Sequence, residues 1–378
     1  MLTPSDSTKP PEMLPTICLC MIVRNESTIL PRFLESTTGA WDQLVAVDTG
    51  SQDDSREILR AGGAEVVDMA WQDDFSLARN ESLRHARTDW ILILDADEFP
   101  ERGFADELRT LTTKESVGAA NILLRGPQRN GSVRHNRLLR IFRRSADIRF
   151  RCRIHEDATD GIVTMLKRRG QSLEQMRTPV LHIGYTPDRL AQTKKRERDE
   201  RLLRMAIGED ANDLYSRYKL LEQFRFWGDT AAGVATANEC LRLITQKGIT
   251  VHPPHIAGDL IELIHSTLFA SRPREGLDFL TSMEPIAGHT GRYRLTLGMC
   301  FEKLDGLEDA FRQYSQALML VAVDPERQLI ETRALCGLAR LSLAIADMAS
   351  AREFATVAVA VSPEDEEAIA LNKLLAPG

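Results

Sequence analysis

Between Trp90 and Pro100 the chain reads W-I-L-I-L-D-A-D-E-F-P. Ile91 to Leu94 are unbroken apolar residues, the pattern of a strand covered on both faces of a parallel sheet. The run stops abruptly in Asp95, Asp97 and Glu98. In an extended segment residues i and i+2 share a face. Asp95 and Asp97 are therefore expected to project together from the carboxyl end of the strand, the edge where open α/β sheets bind ligands. Two carboxylates held so close repel each other unless a cation or a buried proton compensates. Hard oxygen ligands favour Mg²⁺ or Mn²⁺ shared with substrate phosphates. A pair of exposed acids at a strand end is the plain alternative, and the apolar strand running into them favours the first reading.

The segments before this strand alternate in period. Ile17–Val23 reads as a strand, followed by a turn and a helix over Ile29–Ser36 with Ser27 as its N-cap. Leu44–Val47 is a second strand, running into D-T-G-S-Q-D-D-S (48–55) and a helix over Arg56–Ala61. Glu65–Met69 is a third strand. Phe75–Arg87 is an amphipathic helix whose Phe75, Ala78, Leu83 and Ala86 can face inward. Strand and helix in alternation predict a parallel doubly wound sheet, hence an α/β domain. Neither G-x-G-x-x-G nor G-x-x-x-x-G-K-[ST] occurs, which argues against a dinucleotide oxidoreductase and a P-loop NTPase. Beyond Pro100 a short helix and further β-type runs follow at Val117–Arg125, Arg137–Arg143, Ile148–His155 and Val180–Tyr185. From Arg125 to Arg153 ten arginines stand against one acid, Asp147. Arg149, Arg151 and Arg153 alternate and are expected on one strand face; such a strip could bind phosphate groups, but most of the ten are expected to be solvated, with one or two reaching the site.

From Arg189 the character is helical. Arg189–Met205 is a charged helix of mixed sign, read as a solvated linker. Residues 212–378 read as helix pairs, with breaks near Gly228-Asp229, Arg272-Pro273, Asp305-Gly306 and Ala346-Asp347. Gly276 and Ala310, 34 residues apart, occupy matching places. The expectation is a degenerate tetratricopeptide-like solenoid of about four pairs. Domain boundaries follow: a disordered lead-in over 1–14, an α/β domain over 15–187, a linker helix over 188–211 and an all-α helical-repeat domain over 212–378.

A chain of 378 residues with net charge −7 and pI near 5.7 is no general nucleic-acid binder. No stretch is apolar enough to span a membrane, and the N-terminus lacks a signal peptide's core. The six cysteines are scattered without a C-x-x-C pair, and Cys18 and Cys20 read as buried thiols. A reducing, cytoplasmic setting is expected.

Motifs in a fixed order resemble family 2 of the GT-A nucleotide-sugar glycosyltransferases: M-I-V-R-N-E (21–26), V-D-T-G-S-Q-D-D-S (47–55), D-D-F-S-L-A-R-N (73–80), I-L-D-A-D-E (93–98), R-L-L-R-I-F-R (137–143), I-H-E (154–156) and H-I-G-Y (182–185). The first half is similar to bacterial peptide S-glycosyltransferases, which also carry helical repeats, and to lipopolysaccharide-core glucosyltransferases. The resemblance implies a Rossmann-like GT-A domain that uses Mn²⁺ or Mg²⁺ and a UDP-sugar. It puts Glu26 and Asp48 beside the nucleoside, with helix capping compatible with that role. Arg79 would lie near the donor diphosphate, capping of its own helix being the alternative. Asp95 would contact ribose or a metal-bound water, and Asp97 and His182 would bind the metal. Glu156 stands where the family's E-D motif supplies the base of an inverting transfer. The departure to H-E leaves His155 as a second candidate and pairing of Glu156 with an arginine such as Arg153 as a third reading. The implied acceptor is a protein or peptide presented by the repeats. A lipopolysaccharide-core or lipid-linked sugar, with peripheral membrane contact through the arginines, is an alternative. So is a repeat scaffold whose GT-A domain is inactive.

Overall fold

A computed structural model of the chain describes residues 14–127, 133–184, 195–321 and 327–376. Most of the expected lead-in, Tyr185 of H-I-G-Y and the start of the charged helix lie outside these residues. The chain divides into two compact units, Met1–Lys195 and Arg196–Gly378.

The first unit is built on an eight-stranded sheet in the order β3-β2-β1-β4-β7-β6-β8-β5. β1 (Ile17–Val23), β2 (Gln43–Asp48), β3 (Glu65–Asp68) and β4 (Trp90–Ile93) run parallel, with β1 between β2 and β4. That central position explains why β1 carries no polar residue. Leu19 and Met21 enter one core, with Leu44, Leu92 and the helical residues Phe33, Phe104 and Leu108. Cys18 and Cys20 enter the opposite core, with Val45, Ile91 and Ile93. Both thiols are fully buried and unlinked, their sulfurs 3.6 Å apart. Burial pushes the Cys18 thiol upward, adding to the hydrogen bond from its neighbour.

The sheet is mixed rather than parallel throughout. β7 (Val133–Arg143) pairs antiparallel with β4, and β6 (Val117–Pro127) antiparallel with β7. β8 (Ser172–His182) lies parallel to β6, and the three-residue β5 (Glu98–Pro100) closes antiparallel on β8. The helices of this unit are α1 (Leu30–Ser36), α2 (Ser55–Ala61), α3 (Phe75–His85), α4 (Phe104–Thr112) and α5 (Thr159–Arg169). α5 has no counterpart in the sequence reading; its Ile162, Met165 and Leu166 cover the second core.

Two local expectations are corrected. Ser27 does not cap α1: its N–H donates to Asp53 Oδ2 at 3.0 Å, and the Glu26 carbonyl takes the first amides of the helix. Residues 148–155 form no strand. Cys152 and His155 adopt positive φ of 72° and 53°, which breaks the two-residue alternation and scatters Arg149, Arg151 and Arg153 instead of aligning them.

The second unit opens on α6 (Lys195–Glu209), which buries Leu202 and Leu203 and lays Arg196 over the Trp227 ring at 5.7 Å. Four helix pairs follow: α7 (Leu214–Trp227) with α8 (Thr230–Lys247), α9 (Ala257–Leu268) with α10 (Pro273–Ala287), α11 (Gly291–Lys303) with α12 (Leu307–Leu320), and α13 (Arg327–Ala344) with α14 (Met348–Val361). α15 (Glu366–Leu375) closes the array. Side chains of Asp213, Asp229, Thr290, Asp347 and Asp365 cap their helices, supplying acceptors to first-turn amides that lack intrahelical partners. Gly276 and Ala310 each stand fourth in the second helix of a pair, as do Gly233 and Ala351. At Gly276 a side chain would strike His265 Nε2 at 2.7 Å, so the small residue is what permits the close helix contact. No helix among the described residues is long and apolar enough to cross a membrane.

Candidate functional site

Because β2, β1 and β4 are parallel neighbours, their carboxyl ends share one edge of the sheet. Three acidic segments therefore converge there: the turn after Val23, the loop beginning at Asp48, and the turn after Leu94.

Asp48 is the last residue of β2 and is 1% exposed. Its Oδ1 accepts from the amides of Gly50 (3.0 Å) and Ser51 (2.8 Å), the glycine turning at φ 103°. Its buried Oδ2 has no protein partner. Glu26 is half-buried in the adjoining turn, and its N–H donates to Ser55 Oγ at 2.8 Å. Asp53 ties the two loops together, accepting from the Ser27 amide and, at 2.6 Å, from the Ser55 hydroxyl.

Asp95, Ala96 and Asp97 are not strand residues, so the two aspartates do not share a strand face. They sit in a tight turn closed on both sides. The Glu98 N–H donates to Asp95 O at 3.0 Å, and the Asp95 N–H donates to Glu98 Oε2 at 2.9 Å. The turn sends the aspartates to different partners. Asp95 pairs with Arg79 Nη2 and, at 3.6 Å, with Arg140 Nη2. Asp97 Oδ2 lies 3.6 Å from His182 Nε2. Desolvation opposes ionisation of Asp95, but Arg79 and Arg140 outweigh it and hold the carboxyl well below its usual range. Glu98, 2% exposed, is pushed up to about 7 by burial and by the Asp95 charge. The repulsion expected in this acidic stretch is thus met by arginines at Asp95 and shows at Glu98 as an upward shift of its carboxyl.

Arg79 comes from α3, whose buried residues are mostly polar: Ser76, Arg79 and Ser82 beside Ala78. Asp74 caps this helix through the Leu77 amide, so Arg79 is not its own helix's cap. The guanidinium is 2% exposed and bridges two acids, with Nε donating to Glu156 Oε1 at 2.9 Å. Desolvation works against its charge, but Asp95 and Glu156 together raise its pKa. Nη1 is buried without a partner among the described residues. Glu156, mostly buried, therefore pairs with Arg79 and not with Arg153, whose Nη1 donates to the Asp73 carbonyl at 3.0 Å. His155 is exposed.

His182 ends β8 directly opposite Glu98. Burial works against its protonation, but the hydrogen bond and charge of Asp97 raise its pKa. Gly126 brings β6 against the His182 carbonyl, where a Cβ would fall 2.6 Å away. A Cβ on Gly184 would lie 2.6 Å from His182 Nε2 and closer still to Asp97 Oδ2. Glycine keeps this space open between one carboxylate oxygen and one imidazole nitrogen. A hard or borderline divalent ion fits that donor pair, and Asp97 and His182 are the residues that could hold it. By contrast, Cys336, Asp365 and Glu367 in the second unit also bring ligand atoms together. Arg333 pairs with both of these acids and Arg340 with Glu367, which supplies the cation already.

Of the residues singled out in the sequence, the structure brings Arg79, Asp95 and Glu156 together as one cluster and Asp97 and His182 as a second, and places Glu26 and Asp48 further along the same edge. The sequence reading assigned no role to Arg140, Glu98, Gly184 or Asn80. Each stands inside a motif quoted above, but what it does depends on the fold: Arg140 reaches Asp95, and Asn80 reaches Phe150, across segments far apart in sequence.

Residues 18–169 match the family described as Glycosyl transferase family 2. A TPR repeat-containing protein of Synechococcus elongatus is 37% identical over 206 residues, 54% of this chain and 51% of that protein. The SPbeta prophage-derived glycosyltransferase SunS of Bacillus subtilis is 34% identical over 85 residues, 22% of this chain and 20% of that one. Among solved structures, glucosyl-3-phosphoglycerate synthase from Mycobacterium tuberculosis aligns with a TM-score of 0.38 at 19% identity, covering 47% of this chain and 75% of that one. The chain spans about half the length of the first of these relatives and a fifth of the second.

Proposed function

From the premise that residues 18–169 form a family 2 glycosyltransferase domain, followed by helical repeats, we propose that the chain transfers a sugar from a nucleotide-sugar donor, a UDP-sugar, to a protein or peptide acceptor. One observation carries the reading. Arg79 is a buried guanidinium with an unused Nη1 at the ligand-binding edge of the sheet, fixed by Asp95 and Glu156. A buried donor without an acceptor is costly, and a phosphate oxygen of the donor supplies that acceptor. The unused Oδ2 of Asp48 supports the same reading from the nucleoside side, as an acceptor for an N–H of the base.

Asp97 and His182 would hold Mn²⁺ or Mg²⁺, which, when bound, supplies charge stabilisation for the departing nucleoside diphosphate. Arg79 orients the diphosphate, Asp95 fixes Arg79, and Asp95 and Glu26 face the ribose. Glu156 takes the acceptor's proton as the acceptor attacks the anomeric carbon opposite the leaving group, giving inversion. Its Oε1 is committed to Arg79, leaving Oε2 for the acceptor; His155, exposed beside it, is the alternative base. The helical repeats offer the extended surface on which solenoids take peptides. Six unlinked cysteines support a reducing, cytoplasmic setting.

A thermal-shift panel of nucleotide sugars with and without Mn²⁺ tests the donor. A ligand at 100 times its Kd raises stability by about 2.7 kcal/mol, and a panel with no selective shift overturns the reading. Asp97→Ala is expected to lose Mn²⁺-dependent nucleotide binding and turnover. Glu156→Gln is expected to keep nucleotide binding and lose turnover; full turnover in that variant would reject Glu156 as the base.

A further inference from the structure

We propose that Asn80 is a positioning residue for sugar transfer, clamping the strap 150–157 so that Glu156 meets Arg79 in register. The inference rests on the reading of Glu156 as the base. Asn80 Nδ2 donates to the Phe150 carbonyl at 2.9 Å, and the Phe150 N–H donates to Asn80 Oδ1 at 2.8 Å. One side-chain amide thus satisfies both backbone groups of one residue, as a neighbouring strand would. Arg79 and Asn80 are consecutive on α3. A single turn of helix therefore grips the strap at its start, through Phe150, and near its end, through Glu156.

The strap needs this grip. It has no ladder along its length, and Cys152 and His155 both hold positive φ. Non-glycine residues persist in that region only where their surroundings over-determine them. Further ties come from the same quarter: the Phe75 N–H donates to the Arg153 carbonyl at 2.7 Å, and Arg153 Nη1 donates to the Asp73 carbonyl at 3.0 Å. Arg151 and Asp157 exchange backbone hydrogen bonds of 3.0 Å in both directions, which pinches the strap into a closed loop. Releasing Phe150 frees that loop to pivot about the Arg153 contact, and Glu156 moves with it. A displacement of about 1 Å in a proton-accepting group can cost on the order of 100-fold in rate. The donor contacts of Asp48, Asp97 and His182 lie on other segments and do not depend on the strap, and Arg79 keeps its pairing with Asp95 when Glu156 shifts.

The test uses the full chain with Mn²⁺ and two probes, UDP-glucose and UDP-N-acetylglucosamine. Donor hydrolysis is the readout: water attacks the anomeric carbon, its proton passes to Glu156, and the C–O bond to UDP breaks. Asn80→Ala and Asn80→Asp are compared with the unaltered chain. The aspartate keeps the shape and the acceptor but loses the donated hydrogen bond, and it serves if the alanine variant fails to fold. Expected are a fall in kcat of about 10- to 100-fold, a UDP affinity with Mn²⁺ within about twofold of the parent, and faster amide exchange confined to 150–157. A purely structural role would instead lower the melting temperature and leave kcat of the folded fraction intact, and that result overturns the proposal. So does a loss of kcat without faster exchange in the strap. If the unaltered chain binds UDP but Glu156→Gln hydrolyses donor at full rate, the base assignment fails instead. If it binds neither donor nor UDP, the glycosyltransferase reading itself fails.

Discussion

At the scale of single residues the site is governed by where charge is allowed to stay. Arg79 is the one cation gripping both Asp95 and Glu156, and it is almost wholly out of water. Arg79→Met would keep the apolar stem but strip Glu156 of its Arg79 ion pair and leave Asp95 with the 3.6 Å contact to Arg140. Breaking a buried pair costs about 3–5 kcal/mol; the lower end applies because Asp95 keeps 36% of its side chain exposed. Urea unfolding of Arg79→Met is expected to show a loss of about 3 kcal/mol. Arg79→Lys is expected to recover only part of it, since an ammonium cannot present two forked edges to two acids. Gly184 makes the complementary point. Its replacement by alanine adds one methyl, against Asp97 Oδ2 and His182 Nε2. Gly184→Ala should leave the melting temperature nearly unchanged without metal and abolish the shift produced by Mn²⁺ with UDP. An unchanged Mn²⁺ response would show that the ion sits elsewhere.

At the scale of elements, loops at the sheet edge are held by short side chains bridging from one loop to the next. Asp53 links the loops after β1 and β2. Burial pulls its carboxyl upward, but the hydroxyls and amides of Ser55 and Ser27 outweigh burial and hold it at about 2, against an ordinary value of 3.8. The unfolded chain binds this proton first on acidification. The stabilisation is therefore complete above about pH 4 and is lost as pH falls through 2. Its size is about 1–2 kcal/mol after allowance for partial exposure. Acid unfolding of Asp53→Asn should lack this contribution in that window; a parallel pH profile would refute it. Such bridges also show what the sequence discloses and what it hides. β1, β2 and β4 are legible because burial on both faces leaves an unbroken apolar run, and the four helical breaks are legible because Gly, Pro and Asp mark helix ends. The strap at 148–155 alternates in sequence like a strand, yet two positive φ values bend it, and the residues that hydrogen-bond to it, Asn80 and Phe75, lie far upstream. Ser27 looks like an N-cap until Asp53 takes its amide. The pairing of Glu98 with His182 depends on β5 returning to β8, which no local pattern marks.

At the scale of the molecule the two units have separate cores. The sheet of the first is covered on both faces by its own helices, and the helical array of the second buries three clusters in succession. In such an array each pair is stabilised by its neighbours, so damage at one interface propagates along the helices. Tyr314 is the most exacting test. Its ring is fully buried between Gly298 of α11 and Gly337 of α13, and its hydroxyl donates to Glu302 at 2.5 Å. A Cβ on Gly337 would lie 2.6 Å from Tyr314 Cζ, and one on Gly298 would lie 2.7 Å from Cδ1 on the other side. The ring cannot retreat from either methyl without meeting the opposite helix. Overpacking of this kind costs about 1–3 kcal/mol. Gly337→Ala should therefore lower the unfolding transition of the helical unit, followed by far-ultraviolet circular dichroism on a fragment spanning 196–378. In the full chain the stabilisation by Mn²⁺ and UDP, which the proposed donor site assigns to the first unit, is expected to persist. A variant that lost ligand-induced stabilisation along with helical stability would show that the units unfold as one, and that the donor site leans on the repeats for its integrity.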